Sequence, residues 1–222
     1  MKQMIRRLSD ERGNMLIFVL SIFTFILLVL FTALFNFSTV FVAKEQAANC
    51  AQQASLAATK DIYEAMEDAI IRYDTSPARL LDPVFITPDL EREERELKKN
   101  HPDWASVEIR YTAIDHVLSA WLPGNAELQG YVRDGLSRAQ GQIVDVVSTI
   151  LEENHATLEG SSIQLFNRDD RIEVNTSVRF TTEPLGFDFI PRDSAQVYQT
   201  GQSRRIGFLD EVVGWSSHTI PL

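Results

Sequence analysis

From Gly13 through Ala43 the chain carries no Asp, Glu, Lys or Arg, 31 residues in succession. Its core, Met15 to Phe35, reads MLIFVLSIFTFILLVLFTALF. A helix of about 20 apolar residues spans the hydrocarbon of a bilayer, so this window excludes a purely cytosolic globular protein. The polar members Ser21, Thr24 and Thr32 can bond back onto carbonyls of their own helix and so enter lipid cheaply. A cleaved secretory leader would have an apolar stretch of about 7–15 residues followed by small residues at the cut. Here the run continues without a break from Asn36 to Val42, which predicts a retained anchor.

The flanks set its direction. Before the window lie Lys2, Arg6, Arg7 and Arg12 against Asp10 and Glu11, a balance of +2; after it lie 17 basic and 29 acidic residues, a balance of −12. Basic residues stay on the cytoplasmic side of a membrane segment, so residues 1–12 are expected to be a cytoplasmic arm and the rest to lie outside.

Composition removes several functions. A net charge of −10 argues against nucleic-acid binding, which needs a dense Lys/Arg surface to displace phosphate counterions. One cysteine, Cys50, excludes an internal disulfide framework and a Cys-rich zinc site. Among His101, His116, His155 and His218 no two stand at the i, i+4 spacing of a helical metal site. Two acid-plus-imidazole clusters exist, Asp115-His116 and Glu152-Glu153-Asn154-His155. General acid–base work needs such groups to converge, and adjacent residues on a helix point apart. The chain is therefore read as non-enzymatic, with no cofactor, no metal and no small-molecule substrate.

Glycine and proline are absent from Asn14 to Ser76, which predicts that the membrane helix continues outside as one rod. At 1.5 Å per residue it would run about 90 Å from Asn14 to Tyr73. In its outer part Ala47, Ala51, Ala54, Ala58, Ile62, Ala65 and Ala69 recur at three- and four-residue spacing and share one narrow face. Small side chains let another backbone approach closely, so this is the candidate helix-packing face. Two covers suit it: helices of a partner, or the chain's own domain. Cys50 beside it is a candidate for an intermolecular disulfide, or a small side chain in a packed helix.

Residues 77–160 read as a helical insertion. Thr87-Pro88-Asp89 is expected to start a charged, solvated helix, with Thr87 as its cap and His101-Pro102 as its stop. A second helix places Val107, Tyr111, Ile114, Val117, Leu118 and Trp121 on one rough apolar face, up to Pro123-Gly124. A third has a stripe of Leu128, Val132, Leu136, Ala139, Ile143, Val147 and Ile150, with Gly130, Gly135 and Gly141 as candidate close-packing points. Residues 161–222 change period. Ile172, Val174, Thr176, Val178 and Phe180 alternate with polar neighbours, as in a half-buried strand. Ile163 to Phe166 would pair with it through the turn Asn167 to Asp170, and a third strand is expected near Ala195 to Thr200, after breaks at Pro184, Gly186 and Pro191. The apolar face of this sheet needs a helix over it. The fold class is thus α+β: a long membrane helix, further helices and a small antiparallel sheet packing on the long helix. Trp104, Trp121 and Trp215 are read as packing anchors, and the sequon Asn175-Thr176-Ser177 as strand residues.

Arg12-Gly13-Asn14, the apolar run, and then Ala47, Asn49, Ala51, Ala54, Leu56, Ala57 and Ala58 resemble the start of Tad-type (tight adherence, Flp) pilus-assembly proteins. The likeness covers roughly residues 10 to 60. It returns more faintly from Val178 to Arg205, which is similar to the paired end strands of TadE/TadG-like minor pilins. The resemblance implies a membrane-anchored minor pilin or assembly protein at the bacterial cell surface, anchored once in the cytoplasmic membrane, whose N-terminal helix meets other pilin-like proteins. It also implies a candidate processing site at Gly13 and Asn14. Peptidase-cleaved prepilins of this kind carry Glu at the fifth position after the cut, where this chain has Phe18, and that departure resembles the TadG-like branch. The alternative reading is a membrane-anchored sensor or scaffold unrelated to pili.

Overall fold

The computed structural model describes residues 11–181 and 194–222, with side chains from Met15 onward. Helix α1 runs Glu11–Asp74 and is followed by a short 3-10 turn, Pro77–Leu80. Helices α2 (Thr87–Asn100), α3 (Ser106–Trp121) and α4 (Ala126–Glu153) come next. Strands β1 (Thr157–Leu165), β2 (Glu173–Thr181), β3 (Ser194–Gln202) and β4 (His218–Pro221) complete the chain, with a 3-10 turn at Gly207–Glu211 before the last. The architecture is α+β, as its sequence pattern predicts. The expected breaks at Pro184, Gly186 and Pro191, and most of the basic arm, lie outside the described residues.

These residues fall into two compact units, one drawn from Met1–Ala43 and Arg179–Gln196, the other from Lys44–Val178 and Val197–Leu222. The first contains the apolar half of α1, where large side chains from Met15 to Leu34 are exposed. This is the one helix among the described residues long and apolar enough to cross a membrane. Its hydroxyls are satisfied inside the helix: Ser21 donates to the Ile17 carbonyl at 2.8 Å, Thr24 to Leu20 at 2.9 Å and Thr32 to Leu28 at 2.9 Å. A polar side chain paired in this way need not seek water.

The second unit is built around the other half of α1. Its core joins α1 to all three later helices and to the sheet, through Ile62, Tyr63, Met66, Leu118, Leu136, Ile143, Ile163 and Phe208, among others. The stripe on α4 lies where its period puts it: Leu128, Val132, Leu136, Ala139, Ile143 and Val147 are buried, with Leu151 rather than Ile150 closing the row. Of its three glycines, Gly135 is the one at a close approach; a Cβ there would stand 3.0 Å from the Ala65 carbonyl oxygen and 3.0 Å from Met66 Cε. Around Gly130 and Gly141 the space is open.

The sheet order is β3-β2-β1-β4, and β1 pairs antiparallel with both β2 and β4. Ile163 faces Val174 across one ladder and Ile220 across the other. The β1–β2 register shifts between Thr157 and Ser162, an irregularity that bends the strand. Val174, Thr176 and Val178 are buried, as alternation demands, and Ser177 is buried as well. At the connecting turn the Asn167 side chain accepts from the amides of Asp169 and Arg171, at 3.0 and 3.2 Å, and Asp170 takes a left-handed φ of 56°. That is the use of Asn and Asp in turns. Helix α4 covers β1.

Three local expectations are corrected. Helix α2 begins at Thr87 itself, with Ile86 in the cap position and no cap from the Thr87 side chain. The cap comes from the end of α1: the Asp74 carboxylate accepts from the amides of Ile86 and Thr87, both at 2.8 Å, and from the Thr87 hydroxyl at 2.5 Å. An ionised oxygen reaching over the turn outcompetes a neutral hydroxyl for the free N–H groups of a helix start. Second, α3 keeps its expected face at Tyr111, Ile114, Val117, Leu118 and Trp121 but not at Val107, and widens it. It buries Ile109, Ala113, Ile114, Asp115, Val117 and Leu118, while Val107 is 56% exposed. Third, β4 is an addition to the sheet, a short strand that ends in proline.

Candidate functional site

The residues singled out on α1 stand together and face inward. Ala47, Ala51, Ala54, Ala58, Ile62 and Ala69 are each fully buried, and Ala65 is half-buried. Their cover is this chain's own second unit. Gly135 of α4 lies on Ala65 and Ala69, and Gly201 of β3 lies on Ala51 so closely that a Cβ would stand 2.3 Å from the Ala51 carbonyl carbon. A side chain at Gly201 would hold strand and helix apart. Around this contact, Gln52 Nε2 donates to the Gln202 carbonyl at 3.0 Å and Gln46 Nε2 to the Asn154 carbonyl at 2.9 Å. Long side chains on the edge of the stripe thus tie down the elements that cover it.

Cys50 belongs to the same face. It is 1% exposed, with its Sγ 4.0 Å from the Ile150 carbonyl oxygen, and burial pushes its thiol pKa up. A raised thiol is a poor nucleophile, and a disulfide to a second copy would need this packing to open. The backbone of Gly13 and Asn14 is helical.

The two acid-plus-imidazole clusters separate, and for different reasons. His155 ends α4 with a left-handed φ of 57°; the Ala156 amide reaches back to the Leu151 carbonyl at 2.8 Å, the backbone closure of a helix C-terminus. His116 is exposed and its Nδ1 meets Glu93 Oε1 of α2 at 2.7 Å. Asp115, next to it on α3, is buried in the core.

Asp115 is the centre of a cluster that sequence reasoning missed. The Tyr63 hydroxyl of α1 donates to Asp115 Oδ1 at 3.0 Å and Oδ2 at 2.9 Å. Arg204, from the segment after β3, donates through Nη2 to Asp115 Oδ2 and to Thr112 Oγ1, both at 3.2 Å. The Gly207 amide also bonds the carboxylate. The Tyr63 ring stacks on Tyr111 with centroids 4.0 Å apart and meets Phe208 edge-on at 6.4 Å. Arg204 stands 5.6 Å from the Tyr63 centroid and 5.9 Å from that of Tyr111, within cation–π range. Burial raises the Asp115 pKa to about 6, although Arg204, the Tyr63 bond and the Gly207 amide pull it down. Burial also raises Tyr63, with the Asp115 charge adding to it. The cluster joins α1, α3 and the C-terminal segment at one point. A signal existed: Asp115 falls between Ile114 and Val117-Leu118, in line with the apolar face, where an unpaired carboxylate would be costly.

Ion pairs on other faces do similar bracing. Arg110 of α3 bonds Glu67 of α1 at 2.8 Å and also Glu94 of α2, so α2 is less solvated than its charge suggests. Trp121 Nε1 donates to Asp89 at 3.2 Å, Trp104 stacks on His101 at 4.0 Å, and Trp215 meets Phe166 edge-on at 5.8 Å. All three tryptophans pack against the core. Buried Gln129 donates to the Glu211 carbonyl at 2.6 Å and accepts from the Val213 amide at 3.2 Å, holding the C-terminal segment on α4. Among the described residues no three His, Cys, Asp or Glu gather as a metal site would need. What the geometry can do is bind helices, strand and tail into one body on the second half of α1.

Residues 13–65 match the family model Tad, described as Putative Flp pilus-assembly TadE/G-like. The match takes in the exposed apolar half of α1 and the stripe as far as Ala65. No curated protein and no solved structure matches the chain significantly.

Proposed function

We propose that this chain is a non-enzymatic, single-pass component of a Tad/Flp-type pilus or a related secretion assembly, acting as a minor pilin or an assembly protein. The observation that carries this reading is where the family match lies: on one helix that combines a membrane-length apolar segment with a small-residue stripe. The apolar half of α1 anchors the chain in the bacterial cytoplasmic membrane, with the basic arm inside and the acidic remainder outside. Residues 77–160 and 161–222 form the outer body that partners touch.

The action is mechanical. Because the stripe from Ala47 to Ala69 is occupied by the chain's own α4 and β3, partner helices engage α1 through the exposed segment that precedes it, Met15 to Val42. The outer body then presents fixed surfaces to the assembly, kept in register by the Asp115 cluster. Gly13-Asn14 is the junction a prepilin peptidase would use.

The test is cellular. A tagged full-length chain is fractionated and crosslinked in cells with and without the pilus genes of the same cluster. Membrane fractionation, protease access to a C-terminal tag in spheroplasts, and crosslinks that vanish with the pilus genes are expected. A chain that remains in the membrane with the same neighbours after their deletion would sink the pilus reading and favour an independent scaffold.

A further inference from the structure

The buried carboxylate of Asp115 is surrounded by donors. The Tyr63 hydroxyl, Arg204 Nη2 and the Gly207 amide all bond to it. A proton added to the carboxylate makes it a donor among donors. The Tyr63 hydroxyl can reverse its bond and accept, but a guanidinium has no lone pair to offer and stays charged. Once Asp115 is neutral, Arg204 has lost the counter-ion that holds it inward.

Arg204 is also the partner with room to move. Its side chain is 31% accessible, against 9% for Asp115, and Tyr63 is fully buried. The residues on either side of it are tied: Ser203 Oγ accepts from the Ile172 amide at 2.8 Å, and Arg205 pairs with Asp170 and Asp210. The motion left to Arg204 is a swing of its side chain. Helix α3 supplies the second position. Glu108, Thr112 and Asp115 stand four and three residues apart, on one face over successive turns. Arg204 bridges Asp115 and Thr112, both at 3.2 Å. One turn beyond Thr112, about 5 Å along the helix, the exposed Glu108 lines the same groove as Arg204.

We propose that Arg204 has two seats on α3, an inner one on Asp115 and Thr112 and an outer one on Thr112 and Glu108, and that a proton on Asp115 moves it outward. The two events are reciprocal: Arg204 resists protonation of Asp115, so protonation loosens Arg204 by the same factor. Burial already lifts the carboxyl to about 6, which puts the exchange between pH 7.5 and pH 5. The other titratable groups facing Asp115 are Tyr63 of α1 and His116 of α3, the latter paired with Glu93 of α2. In the inner seat the guanidinium stands near the Tyr63 and Tyr111 rings; in the outer seat it leaves them and neutralises Glu108 on the groove wall. The device lies wholly within the second unit and does not depend on the pilus reading.

The experiment uses the full-length chain in detergent, with arginine side chains and tyrosine rings labelled for NMR. At pH 7.5 the Arg204 side-chain protons should show contacts with the Tyr63 and Tyr111 rings, and at pH 5 these should be lost. Asp115→Asn, which has no charge to hold the guanidinium, should lack them at both values. Urea unfolding gives a second reading. A double-mutant cycle between Glu108→Gln and Arg204→Gln should show no coupling at pH 7.5 and about threefold coupling in the unfolding constant at pH 5. The NMR reading leaves Arg204 intact, so it decides alone where the Arg204 variant does not fold. Ring contacts that persist at pH 5, or a cycle indifferent to pH, overturn the proposal. So does a pH dependence that vanishes in His116→Gln, because His116 would then be the group that titrates.

Discussion

Replacing Asp115 with Asn gives a prediction whose sign is set by the site. The carboxyl is raised from 3.8 to about 6, chiefly by burial, and its side chain is 9% accessible, so solvent screens it little. That rise corresponds to about 3 kcal/mol between the protonated and ionised forms. Because the folded-state value lies above the unfolded one, the native state binds the extra proton as pH falls. Stability attributable to this group therefore rises between about pH 6 and about pH 4, and is flat above and below. At pH 7 the ionised carboxylate is a net cost, offset in part by Arg204. The amide of the Asp115→Asn variant keeps an oxygen for the Tyr63 hydroxyl but has no proton to take up. The wild-type chain should therefore gain about 3 kcal/mol relative to Asp115→Asn between pH 7 and pH 4, while the two lie within about 1 kcal/mol of each other at pH 7. Urea unfolding of the full chain in detergent, followed by fluorescence across this pH range, measures this directly, since Trp104, Trp121 and Trp215 all pack on the core of the second unit. A difference that stays constant with pH would show that Asp115 does not titrate in this range. A difference that shrinks on acidification would show that Arg204 and the Gly207 amide outweigh burial.

Gly201→Ala should be severe, because the added Cβ meets the Ala51 backbone at 2.3 Å; a loss of about 3 kcal/mol or failure of cooperative unfolding is expected, read by the same urea titration. Gly130→Ala, in open space on α4, should instead stabilise by about 0.5–1 kcal/mol and raise the midpoint. Asp74→Ala removes three bonds at the start of α2 and should cost about 1–2 kcal/mol, with the loss appearing as faster amide exchange at Ile86 and Thr87.

Much of this fold is legible along the chain because its signals are local and repeated. The alanine row on α1, the Leu-to-Val row on α4 and the alternation in β2 each state a period several times over. What covers a stripe is a different matter. Ala51 looks alike under a partner's helix or under Gly201, since its own side chain carries no mark of a neighbour so distant in sequence. The inner face of α3 is wider than its apolar pattern for a related reason: Val107 is apolar but exposed, while the core also takes Ala113 and Asp115, residues whose types give little apolar signal. Asp115 is inside because Tyr63 and Arg204 meet it there, and neither is near it in sequence. The cap of α2 escapes a local reading because the winning oxygen, on Asp74, arrives across a turn. Strand β4 is too short to show alternation and owes its place to pairing with β1.

The contact of Gly201 with Ala51 also orders events in time. Ribosomes deliver the chain from its N-terminus, so the stripe on α1 exists long before the two elements that shelter it. Gly135 comes more than 60 residues after Ala69, and Gly201 later still. Until then the alanine-rich half of the helix stands uncovered beside the exposed apolar half. The second unit can complete itself only after Gly201 has been made, which makes the strand that carries it the step that closes the stripe.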